Sequence, residues 1–115
     1  MKDIDGRIQY RDKSYKMVFN LNVMQAIQEE YGTLDKWVNL TEGADGEPDA
    51  KAVIFGIREM LNEGIDIENE EKGTNEPFLS LKKVGRIITE VGMIEATKAL
   101  QDTVIESTKS AEKNA

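Results

Sequence analysis

The chain changes its hydrophobic period once, abruptly, near its start. In residues 7–19 apolar positions alternate. Ile8 and Tyr10 share one face of "RIQY"; Tyr15, Met17 and Phe19 share one face of "YKMVF", with Lys16 and Val18 on the other. A period of two is that of a half-buried strand. The polar "RDKS" (Arg11–Ser14) between them reads as a turn, so residues 7–20 are expected to form a β-hairpin. From residue 22 the apolar positions recur every fourth residue, at Val23, Ile27 and Tyr31, which is one stripe of a helix. Asn22 is placed to cap it, Gln25 follows at capping-box spacing, and Leu21 is placed to staple against Ala26. Gly32 stands where a left-handed helix end would put it. A helix of about three turns is marginal alone in water. It must dock, and the Tyr15/Met17/Phe19 face is the nearest surface.

The same patterning predicts the rest of the chain. "TLDKWVNL" (Thr33–Leu40) is a short helix with Leu34, Trp37 and Val38 inward, and 41–49 is an acidic loop by composition. Asp49 can cap a helix over Ala50–Glu63 with the stripe Val53, Ile57, Met60 and Leu61, ended by Gly64. Gly56 costs that helix about 1 kcal/mol relative to Ala, which a close backbone neighbour would explain. Residues 65–77, acidic and ending at Pro77, read as an exposed loop. Ser80 caps a helix bearing Leu81, Val84, Ile87, Ile88 and Val91. Gly92 breaks it, and Met93–Thr108 continues as helix along Met93, Ala96, Leu100 and Val104. Residues 109–115 read as a disordered tail. The expected fold is therefore α+β and mostly α: an N-terminal hairpin, then four to five helices (22–108) around one small core. The 115 residues suit a single domain.

Charge narrows the range of partners. The net charge is −7, carried by the middle: residues 21–79 hold four basic against fourteen acidic side chains, whereas 1–20 and 80–115 are slightly basic. Nucleic-acid binding needs a concentrated basic face, which this distribution does not offer. No stretch approaches the roughly 20 apolar residues of a membrane span, and none is a signal-peptide core, so the expected location is cytoplasmic. The sequon at Asn39 has no secretion signal to support it.

Residues that announce chemistry are scarce. With no Cys and no His, thiol catalysis, disulfides, the commonest general base and the commonest metal ligand are all excluded. No nucleophile-elbow, phosphate-loop or dinucleotide motif occurs. The loops at 41–52 and 66–77 both fail the calcium-loop pattern, the first at positions 1, 3 and 12, the second at 6 and 12. No cofactor, metal or catalytic residue is expected, and the chain reads as a non-enzyme. Trp37 either fills the core between the short helix and the hairpin or serves as a binding anchor. Ile54, Ile57, Met60, Leu61, Leu81, Val84 and Ile88 form the candidate partner-binding face, ordinary core being the alternative for the same residues.

The order of these pieces resembles a known family. A hairpin feeds a helix ending "EEYG", a middle helix ends "NEG", and a late helix breaks at "EVG" before "EATKAL". Over residues 6–106 this is similar to the tail assembly chaperones of siphophages, prophages and gene-transfer agents. The resemblance implies a protein that binds the tape-measure protein and keeps it soluble while the tail tube polymerises, that often self-associates, and that sometimes gains a frameshifted longer form. Two alternatives stand beside it: a structural tail component (tube or connector subunit), for which one hairpin offers little sheet, and a small acidic regulatory protein of a mobile element.

Overall fold

A computed structural model describes residues 6–43 and 46–113, with side chains through Lys109. Strands β1 (Gly6–Tyr10) and β2 (Lys13–Met17) pair antiparallel, with Ile8 opposite Tyr15 and Tyr10 opposite Lys13. Five helices follow: α1 (Leu21–Tyr31), α2 (Leu34–Glu42), α3 (Ala50–Lys72), α4 (Leu81–Val91) and α5 (Met93–Lys113). The architecture is α+β and mostly α, as the patterning predicts. The hairpin turn is tighter than expected. Only Arg11 and Asp12 lie outside the strands, and Arg11 takes φ 58°, the left-handed region.

α3 is the axis of the molecule. It packs against β2 and against all four other helices. Its inward face carries Val53, Ile57, Met60 and Leu61, all fully buried, and two glycines that admit close neighbours. At Gly56 a Cβ would collide with the Trp37 ring of α2. The same indole Nε1 donates to the Ala52 carbonyl at 2.9 Å, so Trp37 is fixed both by shape and by a hydrogen bond. At Gly64 a Cβ would collide with the Lys16 carbonyl of β2. Nearby, the Val18 amide donates to the Met60 carbonyl at 3.2 Å. Trp37 thus fills the core between α2 and α3, rather than between α2 and the hairpin.

Gly64 therefore does not end the helix. α3 runs two more turns, through residues expected to be loop, and stops at Gly73 with φ 67°. The apolar stripe continues at Ile65, which keeps those turns docked, while Asp66, Glu70 and Glu71 face water. The acidic loop at 41–49 is also shorter than expected, because α2 extends to Glu42 and Thr41 is buried, its hydroxyl donating to the Val38 carbonyl at 2.8 Å. Residues 44–45 of that loop lie outside the described residues. So do residues 114–115 of the tail, whereas 109–113 are helical, since "KSAEK" contains no breaker.

The start of α1 also differs. Asn20, not Asn22, is the cap; its Oδ1 accepts from the Val23 amide at 3.2 Å. Asn22 instead donates to Glu63 at 3.1 Å, beside a 2.8 Å bond from Asn20 to the same carboxylate oxygen. Leu21 is the first helical residue and 78% exposed, so no staple forms. α1 docks chiefly on α2 and α3, while the hairpin is taken up by α3, α4 and α5. The contacts at the far end follow suit: Gly6 abuts Thr103, and Ser107 Oγ donates to the Phe19 carbonyl at 2.9 Å. Among the described residues no helix is long and apolar enough to cross a membrane.

Two substitutions check this packing. Gly56→Ala forces a methyl into the Trp37 ring; overpacking costs about 1–3 kcal/mol, against the roughly 1 kcal/mol that alanine gains in helix propensity. Net destabilisation in urea is expected, with altered Trp37 fluorescence in the native state. Among the described residues the buried Tyr31 hydroxyl has no hydrogen-bond partner. Burial first, then the Asp49 and Glu30 carboxylates, raise its pKa above the ordinary tyrosine value. Tyr31→Phe should therefore leave stability at neutral pH unchanged or about 1 kcal/mol higher. A raised folded pKa contributes stability that is full below the unfolded pKa, about 10, and is lost as pH rises through the folded value. Wild type should weaken above about pH 10 more steeply than Tyr31→Phe in urea titrations.

Candidate functional site

The candidate partner face predicted from sequence does not lie open. Ile57, Met60, Leu61 and Val84 are fully buried and Ile88 is 5% exposed; only Ile54, half-buried, and Leu81, 46% exposed, reach solvent. The seven sit on α3 and α4, which pack together, so their apolar stripes satisfy each other. A partner could reach the five interior side chains only by opening the core they share.

An open cleft lies elsewhere, between the hairpin tip and the connection from α3 to α4. Its volume is about 620 Å³. One wall is Tyr10–Tyr15. The last turns of α3 contribute Ile65, Glu68, Asn69 and Lys72. The other wall is Thr74, Glu76, Pro77 and Leu79, with Lys83 from the first turn of α4.

That second wall is an ordered strap, and two asparagines make it so. Asn62 holds Leu79 by both backbone groups: Oδ1 accepts from the amide at 2.7 Å and Nδ2 donates to the carbonyl at 3.1 Å. Asn69 does the same for Glu76, at 3.0 and 3.1 Å, and its Oδ1 also accepts from the Thr74 hydroxyl at 2.9 Å. A side-chain amide has the same donor and acceptor as a peptide group, so each Asn acts as a short piece of neighbouring strand. The spacing is the reason the two can work together. Seven residues of helix rise about 10.5 Å, and three residues of extended chain span about 10 Å. Pro77 helps twice: it biases Glu76 towards the extended form and brings no amide needing a partner.

Charges gather at the mouth. Lys13 Nζ lies 3.5 Å from Glu76 Oε1, tying hairpin to strap, and Arg11 lies 3.6 Å from Glu90 of α4. Both pairs are exposed, and such pairs contribute at most about 1 kcal/mol. The Arg11 guanidinium and the Lys83 ammonium each approach the buried Tyr10 ring, at 5.0 and 5.1 Å from its centroid. Glu68 is met by Arg7 at 3.7 Å. Among the described residues no group of Asp and Glu converges as a metal site would. The cleft presents apolar surface from Tyr15, Leu79 and Pro77, with cations placed around it.

The sequence reading does not reach Asn62, Asn69 or Lys83. The asparagines carry no helix-cap or motif signal, and their role appears only when the strap folds back along α3. Phe78 and Leu81 are 61% and 46% exposed, one on the strap and one just after it.

Asn62→Ala should release the Leu79 end of the strap. Two buried-edge hydrogen bonds are lost, a cost of about 1–3 kcal/mol. In hydrogen exchange the Leu79 amide should lose protection well beyond any loss in α2. Comparison of the chain with protein-family models, with curated proteins and with solved structures finds no match.

Proposed function

We propose that this chain is a tail assembly chaperone, a binding module without catalytic chemistry that holds the tape-measure protein soluble in the bacterial cytoplasm while the tail is built. The observation that carries the reading is the order and punctuation of residues 6–106: hairpin, helix to "EEYG", middle helix through "NEG", late helix broken at "EVG". The physical task suits the chain. A long helical client with an apolar stripe aggregates unless the stripe is covered, and covering it takes apolar surface on an otherwise well-solvated, acidic protein. The exposed apolar side chains available for that include Phe78 and Leu81 beside the cleft, and Leu21, Leu40, Ile94 and Ile105 elsewhere, rather than the interior of the α3–α4 seam.

Co-expression with the tape-measure protein encoded at the same locus tests the proposal. The client's soluble fraction should rise, and the two chains should co-elute on size exclusion. Client that is equally soluble without this chain, together with separate elution of the two, would end the reading.

A further inference from the structure

The cleft carries a more specific assignment than a general binding surface, and it rests on reading the chain as a binding module. Lys72 and Lys83 both face it, and neither has a carboxylate in ion-pair range among the described residues. Lys83 is half-buried, with the Tyr10 ring as its neighbour. A half-buried ammonium gains more from an added carboxylate than a fully solvated one, because water screens it less. The carboxylates of the same cleft are mostly committed: Glu68 to Arg7, Glu76 to Lys13. Asp12, on the hairpin tip, is the exception. In a chain of net charge −7 this leaves a local surplus of cations beside apolar surface.

We propose that the cleft binds a polypeptide segment presenting one apolar side chain flanked by acidic ones. The apolar group packs on Tyr15 and Leu79, and the carboxylates meet Lys72 and Lys83. The volume, about 620 Å³, encloses a few side chains and not a whole helix. The mixed rim disfavours a compact polyanion such as phosphate, which would meet Asp12 and Glu76 as well as the lysines. An acidic–apolar segment spreads its charges and avoids that conflict.

The test titrates the isotope-labelled full chain with three short peptides, acetylated and amidated: Glu-Leu-Glu, Gln-Leu-Gln and Lys-Leu-Lys. Amide shifts at Lys72, Leu79 and Lys83 are expected with the first, smaller ones with the second and none with the third. Raising the salt should weaken the first peptide's binding. Lys72→Gln/Lys83→Gln, whose fold is checked by thermal melting, should bind Glu-Leu-Glu about three- to tenfold more weakly, as the loss of two ion pairs, one exposed and one half-buried, requires. Equal shifts from all three peptides, shifts centred elsewhere, or unchanged binding by the double variant would overturn the assignment. So would the same shifts on concentrating the chain without peptide, which would identify a second copy as the occupant. No client is present in this titration, so its failure is separate from a failure of the co-expression test.

Discussion

The fold depends on how closely two neighbours can approach α3. Trp37 lies on Gly56, and the β2 backbone lies on Gly64, two turns further along the same helix. Each contact exists because a side chain is missing. Together they seat α2 and the hairpin against one continuous helix, and the remaining pieces fill in around that pair of contacts. α1 reaches the core through α2 and α3, while α4 and α5 bring Val84, Ile87, Ala96 and Leu100 into the same interior. Interiors packed at crystal-like density do not adjust to an added methyl. The helix gives up propensity at two positions to gain neighbours it could not otherwise hold.

The same glycines show what a sequence reveals and what it hides. The hairpin, the number of helices, the Asp49 and Ser80 caps and the Gly92 break are legible because each rests on local periodicity or on capping chemistry within a few residues. Gly56 also carries a readable hint, since a glycine inside a helical stripe suggests a close neighbour. Gly64 carries the opposite hint. Followed by acidic residues, it resembles a helix end, and only the β2 carbonyl above it explains why the helix continues. Asn20 and Asn22 both donate to Glu63, far away in sequence, and only Asn20 also accepts from the Val23 amide, a division of roles that no local pattern encodes.

The site was less legible than the fold. Apolar stripes on α3 and α4 announce burial, but a stripe alone does not distinguish a face that meets a partner from one that meets the next helix. Here the two stripes meet each other. What remains available is built from pieces far apart in sequence: a hairpin tip near residue 12, helix residues near 65–72 and a strap at 74–80. Arg11 adds to this a backbone conformation that L-residues enter at a cost of about 1–2 kcal/mol. Its guanidinium lies on the neighbouring Tyr10 ring, so the turn aims a cation that a glycine there could not supply.

The two-asparagine clasp also limits how this chain can vary in length. Surface connections ordinarily accept insertions and deletions freely. This one cannot between residues 76 and 79, nor can α3 between 62 and 69, because the rise of the helix and the reach of the extended chain match only at that spacing. One residue more or fewer on either side would leave one asparagine without its backbone partner. Length change would be absorbed instead at Gly73 or next to Ser80, outside the clasp. A connection that looks dispensable in sequence is, in this respect, as fixed in register as a strand in a sheet.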